Sequence, residues 1–130
     1  MLYCPYETDY SAEPPLTEPA EVARRIVDVL ADRQAEEIVL LDISRLASFA
    51  VYFVIASAVN PRQMRALVDT LDKELGEDGV QPRHREGVPE SGWVLLDYGA
   101  VIVHLFSPEL REHYALEELW RGAAPVVRIL

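Results

Sequence analysis

The stretch that decides the fold is GWVLLDYGAVIVHLF, residues 92–106. Two apolar runs flank Tyr98-Gly99, and this pattern predicts a β-hairpin with these two residues as its turn. Because residues on paired strands meet in a fixed register, the turn also predicts the cross-strand neighbours. The predicted pairs are Asp97 with Ala100, Leu95 with Ile102, and Trp93 with His104.

Side chains alternate between the two faces of this hairpin, so each face has its own composition. One face is purely apolar and is predicted to join the core. It consists of Val94, Leu96, Val101 and Val103. The opposite face is mixed and carries Trp93, Leu95, Asp97, Ile102 and His104. A large aromatic side chain and a carboxylate on the same face predict contact with a partner.

Length, charge and composition limit the classes of protein that fit. The chain has 130 residues and is 50% hydrophobic, which suffices for one domain with its own core. Its formal net charge of -10 disfavours strong binding to nucleic acid and favours a basic protein partner. The single cysteine, Cys4, suits a reducing compartment. No apolar run reaches the roughly 18–20 residues of a membrane span, and the N-terminus lacks a secretion signal, so we expect a cytoplasmic protein.

The rest of the chain predicts alternating helices and strands. The predicted helices are 17–33, 61–76 and 107–120, and the predicted strands outside the hairpin are 38–41, 51–56 and 80–85. This order predicts an α/β (α+β) fold with a mixed, roughly five-stranded sheet and flanking helices. We expect a single domain over 17–124, a loose N-terminal extension over 1–16 and a C-terminal tail over 125–130.

An enzymatic alternative depends on three scattered side chains, Asp42, Asp97 and His104. Carboxylates at strand ends can hold a metal ion with phosphates, so the alternative is a metal-dependent nucleotidyltransferase or phosphohydrolase. The chain lacks the glycine-rich phosphate loops, nucleophile elbow and zinc signatures of such enzymes. Both carboxylates also suit turns, and His104 suits a packed strand. We therefore assign no catalytic residue, metal or cofactor.

Several short motifs follow one another between residues 18 and 123. They are Ser48-Phe49, YFVIAS at 52–57, Arg62-Gln63, Glu86-Gly87, GWVLLDYG at 92–99, Val103-His104 and YALEELW at 114–120. Together and in this order they resemble the ribosomal silencing factor family, also called Iojap or RsfS.

The resemblance implies a noncatalytic fold, similar to that of nucleotidyltransferases but without their active site. It also implies that the protein binds a basic protein of the large ribosomal subunit, number fourteen. Such binding blocks subunit joining and represses translation when nutrients are limiting. Carried over to this sequence, the contact surface centres on Trp93, Leu95, Asp97 and Tyr98, with His104 beside it. Trp93 would supply an apolar anchor, and Asp97 would meet a lysine or arginine.

Three positions depart from the pattern of that family. Val51 stands where an aspartate commonly precedes the YFVI motif, and Ala58 replaces a glycine. Ala100 replaces an aspartate after Tyr98-Gly99. Since the predicted register places Ala100 opposite Asp97, one negative charge is missing from the predicted contact surface.

The same surface predicts self-association when no partner is present. Family members can self-associate, and an apolar face without its partner can pair with a second copy as an isologous dimer. We therefore expect a homodimer whose population rises with concentration.

Overall fold

Two long helices lie on an open, mixed sheet of six strands. The computed structural model describes residues 18–129, so the predicted extension over 1–16 and Thr17, the first residue of the predicted domain, lie outside the described residues. The helices are α1 (Pro19–Asp32), α2 (Pro61–Glu77), α3 (Pro108–Tyr114) and α4 (Leu116–Leu119). The strands are β1 (Glu36–Asp42), β2 (Tyr52–Ser57), β3 (His84–Glu86), β4 (Trp93–Asp97), β5 (Val101–Phe106) and β6 (Ala124–Ile129).

The strand order across the sheet is β3-β4-β5-β2-β1-β6. Strands β2 and β5 are parallel, and all other neighbours are antiparallel. The predicted mixed α/β fold is therefore confirmed. Within residues 18–129, no helix is long and apolar enough to cross a membrane.

The main core lies between the sheet and the helices α1 and α2. Each of these two helices buries one apolar stripe whose residues recur at helical spacing. Their buried residues include Val22, Ile26, Leu30, Met64, Leu67, Leu71 and Leu75. The apolar hairpin face completes this core, as predicted, through Val94, Leu96, Val101 and Val103. A smaller core covers the opposite face of β1 and β2, where Phe53 and Phe106 pack with the segment 43–50.

The hairpin is confirmed, but the predicted register is wrong. Its turn consists of Gly99 and Ala100, because the Tyr98 N–H donates to the Val101 carbonyl over 2.9 Å. Gly99 adopts a φ of 90°, in the left-handed region that favours glycine. The observed pairs are Asp97 with Ile102, Leu95 with His104, and Trp93 with Phe106. Because the shift is two residues, each side chain keeps its predicted face, but Ala100 does not lie opposite Asp97.

A sixth strand occupies the place of the predicted tail over 125–130. Residues Ala124–Ile129 form β6, which pairs antiparallel with β1. The β-branched residues of this segment favour an extended chain, and β1 would otherwise present an unpaired edge. Val127 packs against the main core, although most of β6 is exposed. The sheet therefore has six strands, and the predicted count of roughly five was one too low.

The predicted last helix is interrupted at Ala115. This residue adopts a left-handed conformation, with φ 45° and ψ 52°, and separates α3 from α4. The interruption brings Glu117 back to the nearly buried guanidinium of Arg111, whose Nη2 lies 2.6 Å from Glu117 Oε2. Arg111 also donates to Ser57 Oγ over 3.0 Å, and this hydrogen bond links α3 to the end of β2.

Candidate docking face

The hairpin places four of the five predicted contact residues on one face of the sheet. Trp93, Leu95 and Asp97 alternate along β4, and the neighbouring strand adds His104 opposite Leu95. We call Trp93, Leu95, Asp97 and His104 the docking face. Trp93, Leu95 and Asp97 are half-buried, whereas His104 is only 5% exposed. A partner would therefore touch the first three directly.

Aromatic rings hold Trp93 in a fixed position. Its ring centroid lies 4.7 Å from that of Tyr114 and 4.9 Å from that of Phe106. Its indole N–H donates to His104 Nδ1 over 3.3 Å. Such contacts between rings add to the energy of burying them and restrict the rotamers of Trp93. The indole therefore presents a preorganised surface, which lowers the entropy lost on binding.

His104 lies beneath Trp93 and does not form part of the exposed surface. Because Nδ1 accepts the hydrogen bond from the indole, the proton of the neutral imidazole lies on Nε2. This Nε2 is buried and has no hydrogen-bond partner among residues 18–129. Burial lowers the pKa of His104 to about 4, because the charged form would lose its hydration. His104 is therefore neutral at physiological pH and supports the docking face from below.

Asp97 has one carboxylate oxygen in the turn and one available to a partner. Oδ1 accepts the N–H of Gly99 over 2.7 Å, as expected for an aspartate at a turn. Oδ2 forms no hydrogen bond or ion pair with another described residue. Asp97 thus stabilises the turn through Oδ1. Its second carboxylate oxygen remains free to pair with a positive charge of a partner.

Tyr98 is not brought together with the other four predicted contact residues. It packs against the main core on the α2 side of the sheet, because it follows Leu96 at the two-residue period of a strand. Burial raises the pKa of Tyr98, and the nearby charge of Asp72 raises it further. Its hydroxyl is buried and has no hydrogen-bond partner in the described part of the chain. Asp97 and Tyr98 are adjacent in one sequence motif, but their side chains therefore lie on opposite faces of the sheet.

A groove adjoins the docking face and includes residues that sequence reasoning missed. Its volume is about 450 Å³, and it is lined by Glu86, Gly87, Ser91, Trp93, Leu95, Leu110 and Tyr114. Tyr114 is 43% exposed at the end of α3. Ser107 caps this helix by accepting the Leu110 N–H over 3.2 Å. The cap fixes the start of α3, the helix that contributes Leu110 and Tyr114 to the groove. The YALEELW motif contained Tyr114, but spacing alone did not connect α3 with Trp93.

Aromatic contacts continue from the docking face toward the segment 43–50. His104 packs edge-on against Phe53 at 4.8 Å between ring centroids, and Phe53 packs against Trp120 at 5.0 Å. Trp120 in turn meets Phe49, which is 54% exposed. Trp120 is partly buried and packs against the smaller core. The side of the sheet opposite α1 and α2 thus has an apolar, partly open surface.

The three residues of the enzymatic alternative are not assembled into a site. Asp42 lies on β1 and Asp97 on β4, which are three strand spacings apart, or about 14 Å. The Asp42 carboxylate accepts the N–H and the hydroxyl of Ser44, and these two bonds lower its pKa. Within residues 18–129, no group of three His, Cys, Asp or Glu residues is placed to hold a metal ion.

The structure is a mixed α/β domain with one aromatic and acidic face of its sheet left partly open. The chain belongs to the family of ribosomal silencing factors. A family model described as "Ribosomal silencing factor during starvation" matches residues 16–129, which is most of the chain. The resemblance seen in the sequence motifs is therefore confirmed.

Individual relatives agree with this assignment. The ribosomal silencing factor RsfS of Halalkalibacterium halodurans is 34% identical over 109 residues, which cover 84% of this chain and 92% of that protein. A mouse protein named "Mitochondrial assembly of ribosomal large subunit protein 1" is 32% identical over 98 residues, covering 73% of this chain and 43% of its own length. A crystal structure of a Chromobacterium violaceum protein superimposes with a TM-score of 0.76 at 33% identity, covering 88% of this chain and 94% of that one. Where the name of a relative states a function, that function concerns the ribosome.

Proposed function

We propose that this protein represses translation under nutrient limitation by binding the large ribosomal subunit and sterically blocking its association with the small subunit. The proposed partner on the large subunit is the basic ribosomal protein number fourteen. The observation that carries this proposal is the docking face, where Trp93 and Leu95 are half-buried beside the carboxylate of Asp97. Membership of the ribosomal silencing factor family supports the ribosome as the target.

The charge of the protein supports a basic partner. A formal net charge of -10 attracts a basic protein over several ångströms and repels exposed phosphates. On the docking face the free oxygen of Asp97 offers a defined place for a lysine or arginine. A factor that acts by occupying a surface needs no catalytic group. We place its action in the cytoplasm, where the ribosomes of its bacterial relatives work.

Sedimentation with separated ribosomal subunits tests this proposal. The purified protein is expected to travel with the large subunit and to be absent from the small one. When it is added before the subunits are mixed at a magnesium concentration that permits joining, the fraction of joined ribosomes should fall. Travel with the small subunit alone, or unchanged joining at saturating protein, would contradict the proposal.

Replacing Trp93 with alanine is expected to weaken binding to the large subunit by about 2 kcal/mol or more, as for a central aromatic residue of an interface. The indole is the largest side chain of the docking face and is held in place by ring contacts before binding. Affinity can be measured from sedimentation at several protein concentrations. Val126→Ala is the control, because Val126 is an exposed apolar residue on the distant edge strand β6. Equal affinities of the two variants would show that Trp93 does not contribute to the interface.

The free protein is expected to form a homodimer as its concentration rises. Its exposed apolar side chains on the aromatic side include Phe49, 54% exposed, and Tyr114, 43% exposed. Pairing of these faces would remove apolar surface from water and satisfy the symmetry of an isologous dimer. Sedimentation velocity over a wide concentration range measures this directly. A constant monomer value up to high concentration would show that the face does not pair with itself.

A further inference from the structure

The groove beside Trp93 has the composition of a site for one long side chain of the partner. Its walls include the rings of Trp93 and Tyr114 and the aliphatic side chains of Leu95 and Leu110. The volume of about 450 Å³ exceeds that of a single side chain, so a partner residue can enter it without displacement of the walls. The docking face therefore offers a concave receptor as well as an apolar surface.

Glu86 determines which kind of side chain fits best. Among the described residues that line the groove it is the only charged one, and its side chain is 64% exposed at the end of β3. His84 contacts the same carboxylate but does not line the groove. An occupant that satisfies both the apolar walls and this carboxylate needs a hydrocarbon stem with a positive charge at its end. Lysine and arginine have that construction, and they bury the stem while the charge stays near water.

The aromatic walls favour the same occupant. A cation close to the face of a tyrosine or tryptophan ring is attracted by the ring electrons. Tyr114 is 43% exposed and is joined to Trp93 by ring contact, so a cation at the mouth of the groove can meet a ring and a carboxylate together. The net charge of -10 adds a favourable field for a basic partner.

We propose that this groove receives one lysine or arginine side chain of the ribosomal partner, with its stem against Leu95, Leu110 and Trp93 and its charge at Glu86. The inference rests on the proposed function, because the partner is the basic ribosomal protein. It adds the direction of insertion: this protein supplies the groove, and the partner supplies the inserted residue. Glu86, Leu110 and Tyr114 thereby become specificity-determining residues.

Charge reversal at the mouth of the groove tests the cationic occupant. Glu86→Lys is compared with Glu77→Lys, which makes the same change of net charge at an exposed residue on α2, on the opposite side of the sheet. Affinity for purified large subunits is measured by sedimentation at two salt concentrations. Glu86→Lys should weaken binding at least roughly tenfold more than the control, since two positive charges would meet at close range. Glu86→Gln should weaken binding less and reduce its salt dependence.

Filling the groove tests insertion independently of charge. Leu95→Trp places a larger ring into the groove from a half-buried strand position, and thermal unfolding verifies that the variant is folded. We expect it to weaken binding by roughly tenfold, because an occupied groove cannot take the partner side chain without repacking.

The outcomes separate this inference from the proposed function. If wild-type protein binds large subunits but Glu86→Lys equals Glu77→Lys, the cationic occupant is overturned, even if Leu95→Trp weakens binding. Unchanged affinity of Leu95→Trp overturns insertion into the groove. In both cases the proposed function stands. Failure of the wild-type protein to bind large subunits overturns the proposed function and this inference with it.

Discussion

Replacing Asp97 with asparagine is expected to weaken binding to the large subunit by about 2 to 5 kcal/mol if its charge pair is desolvated in the complex. The substitution keeps an oxygen that can accept the Gly99 N–H, so the hairpin turn retains its hydrogen bond. What it removes is the negative charge that is free to meet a lysine or arginine. The free energy of unfolding should therefore change little while affinity falls. Affinity from sedimentation and unfolding by urea measure the two effects separately.

Asp69→Asn is the matched control for this prediction. Asp69 is an exposed carboxylate on α2, on the opposite side of the sheet from the docking face, and its replacement makes the same change of net charge. Equal affinities of the two variants at both low and high salt would show that Asp97 serves the turn alone. An unfolded Asp97→Asn protein would lead to the same conclusion, because the turn would then depend on the charged group.

The faces of the hairpin were predictable from sequence, whereas its register was not. Side-chain alternation assigns the strand residues of 93–106 to two faces, and the apolar residues of the two faces join different clusters of the core, as that assignment requires. A shift of two residues leaves the alternation unchanged, so the apolar pattern cannot distinguish the two registers. The register depends on the Asp97–Gly99 hydrogen bond and on the positive φ of Gly99, which are details of turn geometry.

The candidate site shows a second limit of sequence reasoning. Asp97 and Tyr98 are adjacent in one motif, but a strand sends neighbouring side chains to opposite faces, and Tyr98 lies on the α2 side. Leu110 and Tyr114 reach the groove only because α3 folds back beside β4. Strand β6 was missed because its side chains are mostly exposed, so its pattern does not show the burial that identifies an inner strand.

Acidification is expected to destabilise the protein through His104 by about 3 kcal/mol between pH 6.5 and pH 4. The pKa of His104 is lowered from 6.5 to about 4 in the folded state, so the unfolded chain binds a proton that the folded protein excludes. The stability from this difference is fully present above pH 6.5 and is lost as the pH falls toward the folded pKa. Below about pH 4 both states are protonated, and this loss stops increasing.

Urea unfolding of the wild-type protein and of His104→Phe at pH 7, 5.5 and 4 tests this prediction. Phenylalanine keeps an aromatic ring among Phe53, Trp93 and Phe106 but cannot bind a proton. The carboxylates titrate in both proteins, so their contribution cancels in the difference between the two. We expect His104→Phe to lose less stability than the wild-type protein on acidification, even if it is less stable at pH 7. Parallel curves would mean that His104 takes up its proton within the folded protein, at Nδ1, which requires the hydrogen bond from the Trp93 indole to break.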